Sequence, residues 1–184
     1  MEVKGSAVSS IPEFVKNRFG SKANEWVGKL TTDSRQIMTN KILSSSWYPL
    51  QEAVVEPTSA ICDLFYGGDK RGAWESGRFS ADHALRGIYK IFVKAGSPQF
   101  IIGKASNIFT GYYRPSEIKV AELSPNSTII RITQFGEPSE FVENRIAGWM
   151  ERAMEISGCK SVNIQILRSL AKKDPLTEIS CQWE

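Results

Sequence analysis

Hydrophobic residues along this chain change their spacing midway, from a helical period in the first half to a strand period in the second. Residues 11–19 and then, beyond Gly20-Ser21, Trp26, Val27, Leu30, Ile37, Met38 and Ile42 recur every three or four positions, which predicts helices. One break is expected at Thr31, Thr32, Asp33 and Ser34, whose short oxygen-bearing side chains accept from the free backbone donors of a first turn. Trp47, Leu50, Val54, Ile61, Leu64 and Phe65 continue the helical spacing, with a kink or division expected at Pro57. Residues 67–77 hold four of the fourteen glycines together with Asp69, Lys70 and Arg71, and read as a surface loop. A helix capped by Ser80 follows, with Leu85, Ile88, Tyr89, Phe92 and Ala95 on one stripe. Another starts at Ser97-Pro98 and buries Ile101, Ala105, Ile108 and Phe109.

After Tyr112-Tyr113-Arg114-Pro115 the period becomes two. Ile118 and Val120, then Ile130 and Ile132, flank Ser124-Pro125-Asn126-Ser127 as a β-hairpin. Gly136-Glu137-Pro138-Ser139 opens a helix whose stripe is Val142, Ile146, Trp149, Met150 and Ala153, closed by Gly158. Val162, Ile164 and Ile166 alternate before a turn at Lys172-Lys173-Asp174-Pro175, and Ile179, Cys181 and Trp183 alternate after it. Centring that hairpin on Lys172-Lys173 places Ile164 opposite Cys181 and Ile166 opposite Ile179. The fold class predicted is α+β: a helical N-terminal half packed on a four-stranded antiparallel sheet of β-β-α-β-β order. The 184 residues form one domain, with residues 1–9 a flexible tail.

Composition narrows the function classes. Apolar, aromatic and charged shares of 41%, 10% and 23% are those of an ordinary globular chain, and a net charge of +3 gives no basic field for nucleic acid. The N-terminus shows no signal-peptide pattern and the apolar stretch at residues 88–108 is interrupted by polar residues, so a cytoplasmic protein without a membrane span is expected. Cys62, Cys159 and Cys181, odd in number and widely spaced, read as reduced thiols.

Candidate chemistry is sparse. His83 is the only histidine, and it stands about 200° from Leu85 on a helix of ~100° per residue, away from the apolar stripe. A hydrolytic triad would need that histidine, and no Gly-x-Ser-x-Gly elbow accompanies it. The hairpin register leaves Cys159 ~17 Å from Cys181 along the strand, too far to share a metal ion. Cys159 is reactive only if exposed. Glu137, Glu140, Glu143, Glu151 and Glu155 fall on the polar side or first turn of one helix, where solvation and the helix dipole account for them. The glycine-rich, basic residues 67–72 lack the Gly-Lys-Ser/Thr order of a phosphate loop. Trp47, Tyr89, Phe92 and Trp149 lie on buried stripes and either line a cavity or fill a core.

The order of glycine, helix, Gly158-Cys159-Lys160, alternating strand, basic Asp-Pro turn, alternating strand and Trp183 resembles an uncharacterised bacterial family. Trp47-Tyr48-Pro49-Leu50, Tyr66-Gly67-Gly68-Asp69 and Gly77-Arg78-Phe79-Ser80 are similar to its upstream landmarks, so the resemblance runs over most of residues 10–183. That family looks related in fold to 4-vinyl-reductase-type domains, haem-dependent nitric-oxide-binding domains and vesicle-tethering TRAPP subunits. The resemblance implies an apolar cavity between helices and sheet, which some relatives fill with haem or an acyl chain. The chain departs from the haem relatives in lacking Tyr-x-Ser-x-Arg, so haem is not expected. The reading is a non-enzymatic sensor or binding domain with a signalling role, taking an apolar or acyl-type small molecule at Tyr89, Phe92, Trp149 and Met150. The alternative is a ligand-free interaction module. A homodimer fits both, and a third, enzymatic reading would run through His83 or Cys159.

Overall fold

A computed structural model describes residues 1–85 and 102–184. The α+β fold has the predicted division. Helices α1 (Gly5–Val8), α2 (Ser10–Phe19), α3 (Ala23–Lys29), α4 (Thr32–Thr39), α5 (Glu56–Tyr66), α6 (Arg71–Leu85) and α7 (Ala105–Tyr112) precede a β-β-α-β-β unit. That unit is β4 (Ser116–Ser124), β5 (Ser127–Phe135), α8 (Glu140–Ile156), β6 (Asn163–Arg168) and β7 (Thr177–Gln182). Its strands form an antiparallel sheet of order β4-β5-β7-β6. Ile118 pairs with Ile132 and Val120 with Ile130 in the first hairpin, and in the last Ile164 faces Cys181 and Ile166 faces Ile179, the register that the turn position predicts. Thr31 caps α4 by accepting from Ser34 N, and Gly158 ends α8 at φ 96°, a conformation that disfavours residues with a side chain. A wide turn at Gln51–Val55 leads into α5, so the division expected at Pro57 falls in that first turn.

Three expectations are overturned. Residues 1–9 are ordered: β1 (Glu2–Lys4) is the middle strand of a second antiparallel sheet, between β2 (Trp47–Pro49) and β3 (Tyr113–Arg114), and Val3 and Val8 are fully buried. Trp47 therefore stands on a strand instead of a helix stripe, with Lys4 and Arg114 over its ring at 4.6 and 4.0 Å. The third concerns residues 71–77, read as loop. They are the first two turns of α6, and Ser80 is a buried interior residue, not a cap. The other positions of the Ser80 stripe, Ile88, Tyr89, Phe92 and Ala95, and the Ser97-Pro98 start lie outside the described residues.

Of the glycines that suggested a loop, Gly67 and Gly68 do lie in a turn at positive φ, and Gly72 and Gly77 are there for packing. A Cβ on Gly77 would meet the Arg145 carbonyl oxygen at 2.0 Å, and one on Gly148 would meet the Trp74 carbonyl oxygen at 2.1 Å. Helices α6 and α8 thus touch backbone to backbone through reciprocal glycines. The seam continues outward as ion pairs of Arg78 with Glu151 and Glu155 and of Arg152 with Asp82 and Glu155. In turn α8 lies against β6 and β7, and Ile118, Ile130, Ile132, Ile164, Ile179 and Cys181 form the buried sheet face. Among the described residues no helix is long and apolar enough to cross a membrane.

This close approach predicts an inverted substitution pattern. Gly28 in α3 has open space around it, so Gly28→Ala follows helix propensity and raises stability by about 0.5–1 kcal/mol. Gly148→Ala, equally helical, lowers it by about 2 kcal/mol or more because a backbone carbonyl stands in the way. Denaturant unfolding of both variants checks this; equal effects would remove the backbone contact from the account.

Candidate functional site

Where α6, α7 and α8 meet the sheet, the side chains leave a cavity of about 90 Å³. Ile118, Ile130 and Cys181 supply its floor from β4, β5 and β7, and Ile108 and Phe109 close it from α7. The α8 contribution is Arg145, Ile146, Trp149, Met150, Ala153 and Met154. Apart from Arg145, Thr128, Ser80 and the tyrosine hydroxyls, the lining is apolar. A void of this kind within a close-packed interior forgoes dispersion contacts and stays dry when it is empty. A wider groove between α2, α6 and α8, about 930 Å³ in volume, is lined by charges that are paired, Arg18 with Glu75, Arg78 with Glu151 and Arg152 with Asp82.

Arg145 is the polar feature of the cavity. Only 3% exposed, it donates from Nη1 to Ser76 Oγ and from Nη2 to Ala7 O and Ser10 Oγ, both at 2.8 Å. The Tyr113 phenol, also buried, hydrogen-bonds with it. Burial pulls the guanidinium below its ordinary value, and the phenol is pushed up by burial despite the neighbouring cation.

Of the residues singled out in the sequence, Trp149 and Met150 line this cavity, half-buried on α8. Tyr89 and Phe92 lie outside the described residues. Trp47, in β2, is not part of the lining. His83 stands outside the lining: its ring is 42% exposed, with Nδ1 3.1 Å from Glu13 Oε2. The three cysteines are buried and unbridged, and no trio of histidine, cysteine or carboxylate among the described residues gathers to hold a metal. Cys159 is 8% exposed, so the exposure its reactivity required is missing. Burial pushes all three thiols up, Cys181 to about 12.

Glu143 corrects the reading of the α8 carboxylates as solvated. It is 5% exposed and accepts from Ser169 Oγ, Thr177 Oγ1 and the Ala171 amide, tying the β6–β7 connection to α8. Arg145 was missed altogether. Its signal was in the sequence: positions 142, 145, 146, 149, 150 and 153 are one helical stripe, and a charge at its centre is out of place there.

No family model matches this chain, and no curated protein matches it in sequence. Solved structures do match in fold. An H-NOX protein from S. oneidensis in the Fe(II)NO ligation state superposes with a TM-score of 0.76 at 13% identity, covering 98% of this chain and 99% of that one. The Fe(II) unliganded H-NOX protein from K. algicida gives 0.73 at 10% identity over 98% and 96%. An H-NOX domain from Shewanella oneidensis in the Fe(II)CO state gives 0.71 at 14% over 98% of both chains. At such identities the likeness establishes a shared fold.

The thiol environment sets a chemical expectation. In native protein at pH 8 none of the three cysteines reacts with a chromogenic disulfide reagent within minutes, and all three react in guanidinium. A single fast thiol in the folded state, Cys159 above all, would contradict the buried, protonated placement.

Proposed function

We propose that this chain is a non-enzymatic small-molecule-binding domain of sensor type, whose ligand occupies the apolar cavity between α6, α7, α8 and the sheet. The observation that carries this reading is the cavity itself. A core that packs two helices to backbone contact leaves open a volume lined by Trp149, Met150, Met154, Ile118 and Ile130. Apolar walls with a few convergent polar groups are the usual form of a small-molecule site. The fold shared with H-NOX proteins supports a sensing role by analogy of architecture.

Haem, which that analogy would suggest, does not fit the donors present. Haem iron is held by histidine, thiolate, phenolate or a methionine accompanying a histidine. His83 lies outside the cavity beside Glu13, and burial disfavours ionisation of both Cys181 and Tyr113. Residues 86–101 contain no histidine, cysteine or methionine, and the phenols of Tyr112, in the lining, and of Tyr89 would serve only as phenolates, whereas a tyrosine ordinarily ionises only at about pH 10. Met150 and Met154 are left as neutral thioethers without a histidine partner. The ligand in this reading is an organic molecule held by burial of its apolar surface, at about 25 cal/mol per Å² removed from water.

Native mass spectrometry of freshly purified protein tests this. The expected result is a reproducible excess mass, released on denaturation as an apolar compound and absent from Ile130→Phe, whose larger ring fills the cavity at a stability cost of no more than about 1–3 kcal/mol. Retention of the same adduct by Ile130→Phe would place the ligand elsewhere. If toluene added to ligand-free protein also failed to bind, the cavity would be plain core.

A further inference from the structure

We infer that the ligand of this cavity is a monocarboxylic acid with a compact apolar body, its carboxylate received by Arg145. The inference rests on the cavity reading and deepens it. Arg145 is a permanent cation, because guanidinium keeps its proton under all ordinary conditions. It is 3% exposed in an apolar surround, where an uncompensated charge is strongly unfavourable. The acceptors around it are neutral: the hydroxyls of Ser76 and Ser10, the Ala7 carbonyl and the Tyr113 phenol.

No carboxylate of the chain is available to balance it. Among the described residues Arg145 takes part in no ion pair, and residues 86–101 contain neither Asp nor Glu. The neighbouring acids of α8 are committed elsewhere, Glu143 to Ser169 and Thr177, Glu151 to Arg78 and Trp74. The missing counter-charge and the unfilled apolar volume adjoin, since Arg145 belongs to the cavity lining. One molecule with an anionic head and an apolar body satisfies both. Carboxylate is a compact anionic head group that can accept from the guanidinium N–H left over by Ser76, Ala7, Ser10 and Tyr113, and it suits a cavity of about 90 Å³.

Calorimetric titration of ligand-free protein with hexanoate and with hexan-1-ol, its uncharged counterpart, tests the inference. Wild-type protein is expected to bind hexanoate at least about tenfold more tightly, the scale of one charge-assisted hydrogen bond. Arg145→Gln should bind the two within about twofold of each other, and Arg145→Lys should keep much of the preference. Equal binding of both probes by wild type would overturn the anion subsite and leave the cavity reading standing. Binding of neither would overturn both. Undiminished hexanoate preference in Arg145→Gln would put the carboxylate elsewhere, and if that variant fails to fold the wild-type comparison decides alone. Haem, whose propionates are also carboxylates, is separated by absorbance: a stable Soret band on adding hemin, with loss of hexanoate binding, would overturn the compact acid.

Discussion

The carbonyl oxygens of Trp74 and Arg145 occupy the space where side chains at Gly148 and Gly77 would begin, so α6 and α8 lie as close as two helices can. Helices with side chains at the contact sit 8–10 Å apart, and glycine lets the backbones approach nearer. The consequence reaches the cavity. With the helices this close, Ser76 of α6 lies within hydrogen-bond reach of the Arg145 guanidinium, and Ser10 and Ala7 close on it from the N-terminal helices. Fixed at one end by this cluster, α8 spans the sheet and leaves its lower stripe, Trp149, Met150, Ala153 and Met154, facing the void.

The N-terminal strand belongs to the same construction. Threaded between β2 and β3, β1 delivers the chain into α1 and α2, which carry Ala7 and Ser10. β3 carries Tyr113, the phenol beside Arg145. The small sheet and the helix pair therefore position one polar cluster between them, while the large sheet provides the apolar floor. Solvent-side charges on α6 and α8, Arg78, Glu151, Arg152 and Glu155, neutralise one another, and Arg145 stays a buried cation in no ion pair among the described residues.

Much of this was readable from residue order, and the exceptions have physical causes. The two hairpins and α8 were legible because a sheet with one buried face enforces strict alternation, so Ile118, Ile130, Ile164 and Ile179 announced both face and register. Gly72 and Gly77 were misread because a missing side chain serves a turn and a close helix contact equally well: Gly72 packs on Tyr66 and Cys62 of α5, and the partner of Gly77, Arg145, is about seventy residues away in sequence. Trp47 was placed on a helix because three residues of strand are too few to establish a period. Arg145 was passed over and Glu143 read as solvated because charge defaults to the solvent face, a rule that fails where hydroxyls from distant segments converge on the group. Trp149 and Met150 could be placed in the cavity lining because their helix stripe was legible. The polar end was not, since Ala7, Ser10, Ser76 and Tyr113 meet only in the folded chain.

Diffraction from a crystal pressurised with xenon tests the central claim most directly, because xenon enters dry apolar cavities and reports their place without chemical bias. The account predicts a xenon atom bounded by Ile130, Met150 and Met154, with the α6–α8 contact unchanged. A cavity closed by those side chains, or xenon bound only elsewhere, would contradict a ligand site between helices and sheet.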